Sequence, residues 1–434
     1  MTPRVLLIGD TSNRTNWGCR ATSSALRSLV EERATVVGAL DLTRLGQPIP
    51  TRVPLTEETS PRPPGLVRGA AHAIRRRLEA RRPDPSIAPL LAVTAATLDE
   101  VADGIVAGRL VPALGAALRE VDTLIANGEG ALLGRRPVGR AILAIAYTAR
   151  TRYGLTTAIV NHSLDVRDPV IGELAARVYP VLDDAVLRER PSYAAAAPLR
   201  DGGRVALAAD AVFGYEPDLE VFHALARRPG ALSVFPDHVD GFDPTRPYIC
   251  VGGSSDYFTR AGETFDGRGP FRDLCTRLSE LAPVVVTSAS HPDDLFLRPV
   301  ADELGLPHFG LRTPTPMAVD LLAGAALYVG GRWHPGIMAL TGGTPLVMLS
   351  ANTDHKSLGL MDLVGLDQPP LDAWSVGPLV DDIVQLAETR LAEGEPLRTR
   401  LRAEVTTLRS TVHDNVRVLG TTTPTTRTKA SSTA

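Results

Sequence analysis

Short runs of β-branched and aliphatic residues alternate with longer amphipathic stretches along most of this chain, and that alternation limits the folds open to it. Each run is too brief for a helix and nearly continuous in apolar character, as in a strand covered on both faces. Strands of this kind separated by helices form parallel sheets packed between helical layers. The first half reads as strands at Val5–Ile8, Thr35–Leu40, Thr123–Ala126, Thr157–Val160, Asp184–Leu187 and Val205–Ala208. The second half repeats the pattern at Tyr248–Val251, Val284–Thr287, Leu306–Phe309, Leu327–Val329 and Leu346–Leu349. Helices are expected between them, among them Ala21–Glu32, Phe271–Leu281 and Pro335–Thr341.

At 434 residues the chain is longer than one core can grow, so the reading is α/β with two doubly wound, Rossmann-like domains facing a cleft. The break falls near Pro229–Pro247, where Pro, Gly and Asp accumulate without periodicity. The expected divisions are therefore 1–235 for the amino-terminal domain and 245–370 for the second. A helical segment over 371–420 and a Thr/Ser-rich, disordered tail over 421–434 would follow.

A net charge of -3 gives no global attraction to nucleic acid. The 3 cysteines, Cys19, Cys250 and Cys275, show no paired spacing and read as reduced thiols of a cytoplasmic protein. The opening apolar run ends at Gly9-Asp10, too short for a signal-peptide core, and no stretch of about 20 apolar residues occurs. One segment departs from the average: Arg62–Arg82 holds seven arginines and one Glu. A solvated helix face is the plain reading, and peripheral contact with anionic lipid at the inner face of a membrane the sharper one.

The strongest local feature is Gly330-Gly331-Arg332-Trp333-His334-Pro335-Gly336, where a buried strand ends and a helix begins. A helix amino terminus attracts anions, Arg332 adds a planar fork, and His334 can donate to an anion or move a proton near neutral pH. The competing account is a structural Arg paired with an acid and a His capping the helix. Asp10 and Asn16 flank the loop after the first strand and offer hydrogen bonds to hydroxyls. Asn127-Gly128-Glu129-Gly130 sets a carboxylate, a candidate base, at another strand end; Arg188 at a third is an anion ligand or a surface ion-pair partner. The other eight histidines lack HxH or HExxH spacing, and neither GxSxG nor a phosphate-binding P-loop is present, so no metal site is expected.

In order and spacing these motifs resemble the polysaccharide pyruvyl transferase family. Asn16–Thr22, Asn127–Gly130, Arg188 with Ser192, Ala209–Phe213, Gly331–His334, Gly342–Val347 and Lys356–Gly359 carry the likeness, which spans roughly Arg4 to Leu366. The resemblance implies the fold of the two-domain glycosyltransferases. It also implies a reaction in which phosphoenolpyruvate, as co-substrate with no further cofactor, gives its pyruvyl unit to a sugar as a cyclic ketal and releases phosphate. Phosphoenolpyruvate binding would fall to Arg188, Arg332, His334 and Lys356, and the acceptor, lipid-linked in one version, to Asp10, Asn16 and Asn127. His334 would be the acid and Glu129 the base. Two positions depart from the family: Cys19 stands where many members carry Asp, and Glu129 is inserted among glycines.

Two alternatives stay open. A glycosyltransferase of the same architecture would use a nucleotide-sugar donor, but the position where such enzymes place a ribose-binding Glu holds Met338. A non-catalytic glycan- or phosphate-binding protein is the third reading, which the Cys19 change keeps open.

Overall fold

The computed structural model of the protein describes residues 2–42, 87–134, 136–200, 204–226, 242–254, 265–350, 354–369 and 371–420. The Arg62–Arg82 segment, the tail 421–434 and most of the break at 229–247 lie outside the described residues.

The first domain is a parallel sheet of β1 (Arg4–Ile8), β2 (Thr35–Leu40), β3 (Thr123–Leu132), β4 (Thr156–Leu164), β5 (Asp184–Leu187) and β6 (Val205–Leu207), in the order β2-β1-β3-β4-β5-β6. The second contains β7 (Ile249–Ser254), β8 (Val284–Thr287), β9 (His308–Phe309), β10 (Leu327–Gly331), β11 (Leu346–Ser350) and β12 (Leu371–Asp372), again parallel and ordered β12-β11-β10-β7-β8-β9. Strand order reverses between β1 and β3 in one sheet and between β7 and β10 in the other. At such a switch point helices leave on opposite faces and open a crevice at the carboxyl ends of the strands. The helices that bear on these crevices are α1 (Trp17–Glu31), α2 (Pro137–Tyr153), α3 (His291–Leu304), α4 (Trp333–Thr341), α5 (Asp354–Leu363) and α6 (Val380–Ser410).

The runs Thr35–Leu40, Asp184–Leu187 and Val284–Thr287 are strands over their whole predicted length. The largest departure is β3, which does not stop at Ala126 but continues through Asn127-Gly128-Glu129-Gly130 to Leu132. Its pairing with β4 slips in register between Glu129 and Leu132. The polar end of this strand is interior because the cleft, not solvent, surrounds it, so apolar patterning alone ends the strand too early. α1 starts earlier than expected because Asn16 caps it, and α4 starts at Trp333 rather than Pro335.

Most of the segment 371–420 is helical, but it begins in the second sheet and ends on the first domain. Leu371–Asp372 is the edge strand β12 of the second sheet. α6 then bends at Gly394, whose φ of 56° no helix interior allows. Past its end, Val412–Leu419 turns back onto the first domain, where Arg417 pairs with Asp184 at 2.6 Å and Asn415 donates to the Ala209 carbonyl at 2.9 Å. One apolar cluster consequently unites Val5 and Trp17 of the first domain, Tyr328 and Leu340 of the second, Leu401 of α6 and Val416 of this strap. Among the described residues no helix is long and apolar enough to cross a membrane.

Candidate active site

Both switch points open onto one cavity of about 320 Å³, lined from the first domain by Thr11, Asn127, Glu129, Arg136 and Arg188 and from the second by Arg332, His334 and Lys356. That volume lies at the small end of the range for sites that hold metabolite-sized ligands.

The amino terminus of α1 closes one side by docking on the opposite domain. Asn16 Oδ1 accepts from the Cys19 amide at 3.0 Å, which caps the helix. The Trp17 amide donates to the Ala289 carbonyl at 2.9 Å, its indole Nε1 to Gly310 O at 3.1 Å, and Arg20 to Thr313 O at 2.6 Å. Gly18 lets the two domains meet closely here, since a Cβ would lie 2.3 Å from His334 Nδ1 and the imidazole would have to move. The Asn-Trp-Gly motif thus brings the His of one domain against the backbone of the other.

Asp210 sits at the centre of the deep end, fully buried just past β6. Its Oδ2 accepts from Arg188 Nη1 at 2.8 Å and Trp333 Nε1 at 3.3 Å, and its Oδ1 from the Val212 amide at 3.0 Å. Burial works against the charge on this carboxylate, but His334, then Arg188 and the Val212 amide, outweigh it and hold the group well below the usual Asp range. Arg188, 1% exposed, also donates to Ser163 Oγ at 3.1 Å and lies 5.0 Å over the Trp333 ring, a desolvated cation–π contact worth about 2 kcal/mol. His334 Nε2 is 3.5 Å from Asp210 Oδ2 and 3.4 Å from Arg188 Nη1. A proton on that nitrogen is shared with Asp210; without it, Nε2 can accept from Arg188.

Glu129 projects into the same cavity from a left-handed backbone, φ 42°, flanked by two tightly packed glycines. A Cβ at Gly128 would approach His162 to 2.6 Å, and one at Gly130 would approach Lys356 Nζ to 2.7 Å. Holding a non-glycine residue in this conformation costs about 1–3 kcal/mol, the kind of strain that functional sites retain. Thr11 Oγ1 donates to Glu129 Oε1 at 2.9 Å. Burial pushes the Glu129 carboxyl above its ordinary value, against the opposing pull of His334, Thr11 and Arg188.

Lys356 enters the cavity from the first turn of α5. Burial first, then the charges of Arg188 and Arg136, bring its ammonium down to about 7, with Glu189 and Glu129 pulling the other way. Glu189 lies fully buried between Ser163 and Ser192, and burial raises its carboxyl too.

Four of the predicted site residues need revision. Arg332 lines the cavity but is not a free clamp: its Nε and Nη2 grip Asp293 at 3.0 and 2.7 Å, and Nη2 also meets Ser290. Asp293 is 0% exposed and would not stay charged alone, so the structural account of this arginine is the one realised. Asp10 does not reach the cavity; it is paired with Arg27 and accepts from the Ser12 amide at 2.9 Å, which makes it a loop organiser. Asn16 lines the cavity with its carbonyl already committed to the helix cap. Asn127 is nearly buried, accepting from Asn161 Nδ2 at 3.2 Å and donating to Ser23 at 3.4 Å, so it braces the floor. Glu129, Arg188, His334 and Lys356 do converge. Cys19 lines the cavity beside Glu129, and burial and that neighbour push its thiol up to about 12, so it stays protonated and unreactive.

The sequence reading missed Asp210 as a site residue, along with Thr11, Arg14, Asp41 and Arg136. Asp210 had a signal, because it stands in the Ala-Asp-Ala motif after a strand. Arg136 had none beyond its place before a proline. Among the described residues no group of three or more His, Cys, Asp or Glu is placed to hold a metal ion.

No protein-family model matches the chain, and no curated protein does. Solved structures do. The α,α-trehalose 6-phosphate synthase of Burkholderia multivorans superposes with a TM-score of 0.51 at 13% identity, over 97% of this chain and 98% of that one. The E. coli trehalose-6-phosphate structure bound with UDP-2-fluoro glucose gives 0.52 at 10% identity, over 97% and 100%. The chain has the fold of the two-domain glycosyltransferases. Neither of these two is a pyruvyl transferase, and identity this low carries the fold alone.

Proposed function

We propose that the protein is a transferase that takes a small, doubly anionic donor, phosphoenolpyruvate, and passes its pyruvyl unit to two hydroxyls of a sugar. The observation that carries this reading is the convergence of Arg188, His334, Lys356 and Glu129, whose carboxyl burial pushes up, on one small cavity. Phosphoenolpyruvate needs cationic contacts for its carboxylate and phosphate, and an acid for its methylene carbon. Protonation of that carbon makes C2 electrophilic; a sugar hydroxyl adds there, its C–O bond forming as the hydroxyl proton leaves. A second hydroxyl then forms its own bond to C2 while the C2–O bond to phosphate breaks. Of the two hydroxyl protons, one replaces the proton spent on the methyl group and the other leaves with phosphate. Glu129, neutral at first, is the donor to the methylene and afterwards the base. His334 backed by Asp210 contacts the donor and supports the same transfer, the reverse of the emphasis the motifs alone suggested.

A second reading is favoured by the fold, since the E. coli structure described above binds UDP-2-fluoro glucose. A nucleotide-sugar donor would require a ribose contact from α4, but Met338 there is 0% exposed and presents no acceptor.

One assay separates them. The pure protein is incubated with phosphoenolpyruvate or with UDP-glucose, each beside a panel of sugars, while phosphate and UDP release are followed. Acceptor-dependent phosphate release that falls at least 100-fold in Glu129→Gln and His334→Ala supports pyruvyl transfer. UDP release, with phosphoenolpyruvate inert, overturns it in favour of the second reading.

A further inference from the structure

Thr11, in the loop after β1, faces three polar atoms at once. Its Oγ1 lies 2.9 Å from Glu129 Oε1, 3.0 Å from the Cys19 carbonyl oxygen and 3.0 Å from Ser23 Oγ. A hydroxyl has one proton to give and two lone pairs with which to accept. Ser23 decides part of the arrangement. Its Oγ accepts from the Thr11 amide at 2.8 Å and from Asn127 Nδ2 at 3.4 Å, which leaves its own proton for Thr11 Oγ1. The Thr11 proton then has two acceptors, the Glu129 carboxyl and the Cys19 carbonyl. The carbonyl only accepts. The carboxyl accepts when ionised, but when neutral it has a proton of its own to donate to the second lone pair of Thr11. Both arrangements place every hydroxyl proton without moving a heavy atom. With Thr11 8% and Ser23 1% exposed, little water competes for these bonds.

Among the described residues Thr11 is the one hydrogen-bond partner of the Glu129 side chain. The charged and titratable groups around that carboxyl act on it from further away. They are Arg14 and Cys19 near the start of α1, Arg188 after β5, Asp210 after β6, His334 on α4 and Lys356 on α5. His162, the neighbour of Glu129 on β4, is kept uncharged by burial. These groups set how readily the carboxyl ionises, while Thr11 alone fixes where it points.

We propose that Thr11 is the positioning residue of Glu129, a hydroxyl switch that donates to the carboxylate when Glu129 is ionised and turns to the Cys19 carbonyl when Glu129 carries a proton. Under the function proposed above, Glu129 passes between these two forms in every cycle, giving a proton to the methylene and taking one from a hydroxyl. A partner that only donates would hold one form and repel the other. A hydroxyl that reverses holds both at one geometry, so the carboxyl need not turn between the two steps. The part played in turnover rests on that proposed function; the switch itself does not.

The test follows the carboxyl directly. Full-length protein with carbon-13 in its glutamate carboxyls is titrated by NMR, the Glu129 signal being the one absent from Glu129→Gln. The parent is compared with Thr11→Ser, which keeps the hydroxyl, and with Thr11→Val and Thr11→Ala, which lack it. Val preserves the volume, and Ala serves if Val disturbs the loop. Loss of a donor to the ionised form, with burial unchanged, makes ionisation harder. The midpoint is therefore expected to rise by about one pH unit in the Val and Ala chains and to stay within about 0.3 in Thr11→Ser. With phosphoenolpyruvate and an accepted sugar, the pH profile of kcat should move the same way while KM changes less than about 2-fold. An unmoved midpoint in the Val and Ala chains, an equal rise in Thr11→Ser, or a parent signal with no inflection between about pH 4 and 9 would each overturn the switch. If the midpoints move as expected but phosphoenolpyruvate is not consumed with any sugar, the donor reading fails and the switch stands.

Discussion

Single residues in this cavity have titration behaviour that can be tested without knowing the substrate. Lys356 carries its proton below about 7 and loses it above, under the influence of Arg188, Arg136, Glu189 and Glu129. Sulfate stays dianionic across this range, so its affinity is expected to fall as pH rises from 6 to 8 as the ammonium is lost. Lys356→Gln should bind sulfate more weakly and with a flatter profile; a parent profile that is level or rises with pH contradicts the assignment. A second residue-scale prediction concerns the Arg332–Asp293 pair. Asp293→Ala leaves a nearly buried guanidinium without its carboxylate and should cost about 3–5 kcal/mol in urea unfolding, whereas replacing both partners with apolar residues of similar size should cost much less. A loss below about 1 kcal/mol for Asp293→Ala would restore Arg332 as an independent anion clamp.

At the scale of elements, the site is made where strands end and helices begin, and sequence patterning is least informative there. Buried strands advertise themselves because both faces are apolar, so Asp184–Leu187 and Val284–Thr287 were readable end to end. Glu129 could be read as a strand-end carboxylate, but not as a left-handed residue inside β3, because that depends on the glycine contacts with His162 and Lys356 across the fold. Asp10 and Arg332 were misjudged for a related reason: an acid or a cation at a strand end looks like a ligand until its partner appears. Those partners, Arg27 and Asp293, lie 17 and 39 positions away. α1 gives the element-scale prediction. Its second residue, Gly18, faces His334 Nδ1, so Gly18→Ala should displace the imidazole while slightly favouring the helix. Turnover should drop at least 10-fold with the thermal midpoint within about 2 °C of the parent. Equal losses of midpoint and turnover would instead mean that the contact is only structural.

For the whole molecule, the question is what keeps two sheets aligned across a cavity to which both contribute. α1 docks on the second domain through Trp17 and Arg20, and the last turn of α6 with the strap after it binds the first. Arg409 donates to the Phe213 and Tyr215 carbonyls at 3.1 and 2.9 Å, and Thr411 Oγ1 accepts from the Ala209 amide at 2.9 Å. These contacts bracket Asp210, so the strap supports the residue on which Arg188, Trp333 and His334 converge. Because one apolar cluster runs through both domains and the strap, the intact chain should unfold in a single cooperative transition. Ending the chain after Ser410 removes Val412, Val416, Val418 and Leu419 from that cluster, along with the Arg417–Asp184 pair. The first domain then loses its cover over Asp210 while the second keeps α6, so the transition should split in two, the first-domain step moving down by several degrees. Calorimetry with and without inorganic phosphate reads this directly. In the intact chain phosphate bound in the cavity should raise the single midpoint, since the cavity is lined by Arg188 from one domain and Lys356 from the other. In the truncated chain that linkage should disappear, and a phosphate-stabilised single transition there would show that α1 alone holds the domains together.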